Sequence, residues 1–145
     1  MPPAADLVTQ WLRKAEGDLH IAELVLADDS PVYWGAAFHA QQATEKFIKA
    51  LLTFHEIEFA KSHDIEYLFD LCVPVEPDIE RFRDAAARLT EFAVETRYPG
   101  PEAEPAESEA PKAIGTARAV REYVLDALSG GAPRVTNSPD DTGVP

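Results

Sequence analysis

The sequence predicts an all-α protein, an antiparallel up-and-down bundle of four to five helices. Three observations carry that expectation. Four long segments repeat apolar residues at alternating spacings of three and four, as a helix with one buried face requires. No segment alternates apolar and polar residues at period two for long enough to make a strand. The connections between most of the periodic segments are brief, and a brief connection forces consecutive helices to run antiparallel.

The first helix is expected over Ala5–Ala27, where Val8, Leu12, Ala15, Leu19, Ala22 and Leu26 form a heptad seam widened by Trp11 and Val25. Asp28, Asp29 and Ser30 then make a tight connection. The second helix, Tyr33–Phe54, is the organising element, with Ser30 as its cap and Pro31 in the first helical position. Its stripe is Ala36, Ala40, Ala43, Phe47, Ala50 and Phe54, small at one end and aromatic at the other. After the loop HEIEFAKSH, Ser62 caps a short helix over Asp64–Cys72, which Pro74 and Pro77 terminate. A fourth helix is expected over Asp78–Thr96, with Ile79, Phe82, Ala86, Leu89 and Ala93 inward and Arg81, Arg83 and Arg88 as ordinary surface. Residues 99–111, rich in Pro and Glu, read as an extended surface loop. The last helix runs over Pro111–Leu128 with Ile114, Ala117, Val120, Val124 and Leu128 inward, ended by Gly130-Gly131 in a left-handed cap. Residues 1–130 therefore form one helical domain, and 131–145 are expected to be a disordered tail.

Composition removes several classes of function. The chain has 145 residues, enough to bury a core without disulfide or metal staples. Thirteen basic residues against twenty-six acidic give a net charge of -13, which repels nucleic acid and anionic membranes unless cations are gathered locally. Cys72 is the single cysteine. No signal pattern and no membrane-length apolar run are present, so a soluble, cytoplasmic setting without membrane contact is expected. There is no Gly-rich phosphate loop, no HExxH and no Glu with a His three positions later. The four histidines, at 20, 39, 55 and 63, fall on different turns or elements. No metal site, cofactor or catalytic residue is assigned.

Three polar clusters remain. The second helix carries His39, Gln42, Lys46 and Lys49 in one stripe, with Gln41 and Glu45 beside it; the plain alternative is polar surface with hydrogen bonds to a partner helix. Ser62-His63-Asp64 precedes the short helix, where free backbone N–H groups hold an anion; the alternative is simple capping. Thr96-Arg97-Tyr98-Pro99 closes the fourth helix, where an Arg also complements the helix dipole. A guanidinium beside an aromatic ring suits a phosphate and a base.

These residues, in order, resemble a HEPN domain. The resemblance is carried by Trp11 to Glu16 with Asp18 and Leu19, by Phe38 to Ala43 with Glu45, Lys46 and Lys49 to Leu52, by Ser62-His63-Asp64 with Leu68, and by Arg97-Tyr98-Pro99. It implies a dimerising bundle that works beside a small nucleotidyltransferase in a toxin–antitoxin or stress-response pair. Many members are metal-independent ribonucleases using an Arg, a polar residue and a nearby His on a late helix. This sequence departs there: Arg97 is followed by no His, and none occurs after residue 63. Arg13 and His20 match the spacing but lie on the first helix.

The expected function is therefore binding without catalysis. A homodimer, with Trp34 and Phe38 off the main seam of the second helix, takes a nucleotide (or RNA) or a nucleotidyltransferase partner through His39, Gln42, Lys46, Lys49, His63, Asp64, Arg97 and Tyr98. The alternatives are a ribonuclease toxin with a non-standard pair, Arg97 with His39 or His63, and a structural dimeric adaptor.

Overall fold

The computed structural model describes residues 3–95 and 107–130, with the side chains of 91–95 left aside. Five α-helices follow in order: α1 (Ala4–Leu26), α2 (Tyr33–Phe54), α3 (Ile65–Cys72), α4 (Arg83–Glu95) and α5 (Glu109–Ser129). A 3-10 turn, Pro77–Phe82, leads into α4. There is no strand among the described residues. The all-α bundle is thus as expected, with α1 and α2 forming the antiparallel hairpin that the short connection dictates.

The centre is α2, which packs against α1, α3, α4 and α5. Its small stripe lets neighbours approach, and Ala36, Ala40, Ala43, Phe47 and Ala50 are all fully buried. Burial extends well past that stripe to Ile48, Leu51, Leu52, Thr44 and Glu45, because helices on several sides enclose α2. From α1 come Ala15, Leu19 and Ala22; from α5, Ile114, Ala117, Val120 and Val124; from α3, Leu68 and Phe69.

Several helix ends differ from expectation. The Ser30 hydroxyl does not cap α2; the Ser30 N–H is itself held by Asp28 Oδ2 at 2.9 Å, and Val32 takes the cap position. Asp64, not Ser62, caps α3, accepting from the N–H groups of Glu66 and Tyr67, while the Ser62 Oγ accepts from Asp64 N–H. The expected fourth helix is divided, since Pro77 opens a 3-10 turn before α4 begins. α5 starts two residues early, at Glu109, and Gly130 ends it with φ -73°, so the expected left-handed glycine cap is not formed there. Gly131, the tail 131–145, Thr96 and most of the Pro/Glu-rich stretch (99–106) lie outside the described residues.

The opposite end of α2 holds a buried polar cluster that anchors α5. Glu76, 1% exposed, accepts from Tyr123 Oη at 2.7 Å and pairs with His55 Nε2 at 2.9 Å. Buried charge needs such partners, and here they fasten α2 and α5 to the 3-10 turn. Burial and the Glu76 carboxylate push the neighbouring Cys72 thiol up to about 12. Arg83, read from the sequence as plain surface, instead binds Glu66, Asp70 and Glu80, tying α4 to α3.

A left-handed residue closes α2. Ile57 N–H donates to Leu52 O and Glu56 N–H to Thr53 O, each at 2.9 Å, the paired bonds of a Schellman cap. The left-handed position is normally glycine, but here Glu56 holds it with φ 57°. Replacing Glu56 with Gly is expected to stabilise the fold by up to about 1 kcal/mol, measured by urea unfolding, because it removes this strain. A loss of stability would show that the Glu56 side chain contributes more than its backbone costs.

Candidate functional site

Two carboxylates organise the polar stripe of α2. Asp18 of α1, which is 9% exposed, takes His39 Nδ1 on Oδ1 at 2.9 Å and Lys46 Nζ on Oδ2 at 2.6 Å. Glu45 of α2 is fully buried; its Oε2 takes Lys49 Nζ and His63 Nδ1, each at 2.9 Å, and its Oε1 takes Gln41 Nε2 at 3.2 Å. Each carboxylate therefore holds one lysine and one imidazole. Helical geometry explains why: His39 and Lys46 lie two turns apart on the edge facing α1, whereas Glu45 and Lys49 are one turn apart on the edge facing the loop before α3.

Amide groups connect the stripe to α4. Gln42 donates to Gln41 Oε1 at 2.8 Å, and Gln41 reaches Thr90 Oγ1 at 3.4 Å. Two aromatic rings cover Lys49: its Nζ lies 5.2 Å from the centroid of Trp11 and 5.9 Å from that of Phe59. For a lysine that sheltered, with a 7% exposed side chain, Glu45 and the two ring faces stand in for water.

The structure thus joins His39 and Lys46 through Asp18, and Gln42, Lys49 and His63 through Gln41 and Glu45, but with unequal access. His63 has a 77% exposed side chain, His39 31% and Lys46 22%. Lys49 is nearly enclosed, so its first effect is to hold Glu45, and through Glu45 to orient His63. Asp64 spends its carboxylate on the first N–H groups of α3. The helix N-terminus expected to receive an anion is therefore already satisfied by a carboxylate of its own. Arg97 and Tyr98 lie outside the described residues.

What the sequence reading missed are the anchors. Asp18 contributed only to the resemblance, Trp11 to the resemblance and to the edge of the first seam, Glu45 stood merely beside the stripe, and Phe59 and Thr90 were passed over. A signal for Glu45 was present: Gln41 and Lys49 flank it at four residues on either side, a spacing that lets both reach its carboxylate. Asp18 lies beside the apolar seam formed by Ala15, Leu19 and Ala22, where a charge demands a partner.

Other ion pairs have structural roles. Arg118 with Glu23 and Arg121 with Glu16 join α5 to α1. No group of three or more His, Cys, Asp or Glu suited to a metal ion occurs among the described residues. Nor is any described helix long and apolar enough to cross a membrane.

Comparison with known proteins agrees with this architecture. A model of the HEPN domain matches residues 8–127. A crystal structure of an archaeal HEPN homologue superposes with a TM-score of 0.62 at 26% sequence identity, covering 82% of this chain and 95% of that one. No curated protein gives a significant match.

The enclosed Glu45–Lys49 pair gives a direct energetic test. Glu45→Ala leaves the Lys49 ammonium buried without a counter-charge, and a loss of about 3–5 kcal/mol is expected in urea unfolding. Glu45→Ala combined with Lys49→Met should lose much less than the two single changes added together. Additive losses would show that the two groups are not coupled.

Proposed function

The chain belongs to the HEPN family, and from that premise we propose that it acts by binding, not catalysis. Its ligand is a nucleotide or a partner nucleotidyltransferase, within a toxin–antitoxin or stress-response pair. The binding surface is the α2 stripe, His39, Gln42, Lys46 and Lys49, continued by His63 and completed by Arg97 and Tyr98; Asp64 leaves it, its carboxylate being held by the first N–H groups of α3. The observation that carries this reading is that two lysines and two imidazoles gather around Asp18 and Glu45 in a protein whose net charge is -13. Elsewhere such a charge repels phosphate; local convergence of cations is what a phosphate-bearing ligand needs.

The aromatic groups beside the cations support a nucleotide over a bare anion. Trp11 and Phe59, with ring centroids 6.1 Å apart, border the stripe next to Lys49. Stacking on such rings is tolerant of base identity. Family membership makes a second copy of the chain a natural partner. Ile21, Leu24, Val32 and Trp34, all near the α1–α2 connection, are large apolar side chains left exposed, as an association surface would leave them. The protein is accordingly taken to be a homodimer, and sedimentation should give twice the 15.9 kDa chain mass. A species of the single-chain mass at tens of micromolar would contradict it.

Calorimetry with a panel of nucleotides tests the site. Arg97→Ala and Lys46→Ala should each weaken binding about tenfold or more, the loss of one charge-assisted contact at about 1.5–3 kcal/mol. Lys112→Ala, on α5 with a 69% exposed side chain, should change little. Equal affinities for all three variants would place the ligand elsewhere. With metal chelated, the purified protein should leave single-stranded and transfer RNA uncut; cleavage abolished by Arg97→Ala would instead establish a ribonuclease.

A further inference from the structure

We propose that ligand and protons bind this face together: His39 and His63 accept an anion as imidazolium ions, so each phosphate group bound brings protons with it. The proposal rests on the binding reading above and adds the charge state in which the face is competent.

It follows from the charges on the two carboxylate clusters. Asp18 and Glu45 bring two negative charges, Lys46 and Lys49 two positive ones, and all four are engaged with one another. With neutral imidazoles these two clusters carry no net charge. The neighbouring elements do not supply the deficit. The loop that carries His63 sets Lys61 against Glu58, and across the groove at the start of α3 stand Asp64, Glu66 and Asp84 with Arg88, Glu66 being already held by Arg83. From α1 the face receives Asp18 and the uncharged Trp11, and from α4 the hydroxyl of Thr90. Within a chain of net charge -13, an arriving phosphate meets no surplus of positive charge among the described residues of the face until the histidines gain one.

The ring geometry makes that gain effective. In both histidines Nδ1 faces a carboxylate, at 2.9 Å in each case, so Nδ1 is the nitrogen that carries the proton of the neutral ring. The second proton must therefore enter at Nε2, on the other side of the ring. A neutral Nε2 presents a lone pair, which repels an anion; a protonated one presents an N–H donor and a positive charge. His63, with its 77% exposed side chain above the buried Glu45, is placed to make this exchange with solvent. Proton and ligand each favour the other's binding, and the coupling is reciprocal. The sign is fixed: bound anion stabilises the imidazolium, so binding takes up protons and affinity falls as pH rises.

Calorimetric titration of the full chain with ATP, in two buffers of different ionisation enthalpy near neutral pH, measures the protons exchanged. The nucleotide's own protons cancel when wild type is compared with the His39→Gln/His63→Gln protein, in which glutamine still offers a neutral donor to each carboxylate. The wild type is expected to take up more protons than the double variant, with each single variant between them, and its affinity to fall with rising pH while that of the double variant stays nearly flat. Circular dichroism establishes that the variants are folded. If ATP binds both proteins with equal proton exchange, the coupling is overturned and the binding face stands. If ATP binds the wild type nowhere between mildly acidic and mildly basic pH, the coupling fails together with the nucleotide reading.

Discussion

A carboxylate with no exposed surface sits in the middle of the most deeply packed helix, and much of the arrangement around it answers that one constraint. Glu45 cannot be left alone: an isolated buried charge costs several kcal/mol even after relaxation. Lys49 reaches it from one turn away, His63 from the loop before α3, and Gln41 from the other side. Lys49 needs shelter in turn and finds it against Trp11 and Phe59. Asp18 repeats the arrangement on the edge facing α1, with His39 and Lys46. The same interactions that allow α2 to be enclosed also fix the position and ring orientation of the groups that face solvent.

The main fold was legible because helical periodicity and short connections leave few alternatives. The seams of α1, α2 and α5 are buried nearly as the spacings require, with Val8, Leu12, Leu26, Phe54 and Leu128, toward the helix ends, half-buried. Helix ends were less legible, for identifiable reasons. Ser62 and Asp64 both have side chains suited to capping, and sequence alone does not decide which one the chain direction favours. Pro77 marks a start but does not say whether the first turn is 3-10 or α. Glu56 in a left-handed position breaks the usual glycine preference, so no residue type announced the sharp end of α2.

The cations of the site were visible and their partners were not. His39, Lys46 and Lys49 stood out as a stripe because helical spacing alone places them together. Asp18 lies on another helix and His63 in a loop, and no periodicity relates either of them to α2. The difference is chemical as well as geometric. Unpartnered lysines would form a standing phosphate site; lysines neutralised by Asp18 and Glu45 form a face whose surplus charge depends on its histidines. The expected anion site at the start of α3 fails on the same ground, since Asp64 already occupies those N–H groups.

The central claim is that buried carboxylates hold both imidazoles by Nδ1 and turn Nε2 outward. Nitrogen-15 NMR of the histidine side chains, recorded at a pH where the rings are neutral, reads this directly. The account predicts that His39 and His63 both carry their proton on Nδ1, opposite to the tautomer that free histidine prefers, and that His39 reverts to the free-histidine pattern in Asp18→Asn. Protons on Nε2 in the wild-type protein would contradict it.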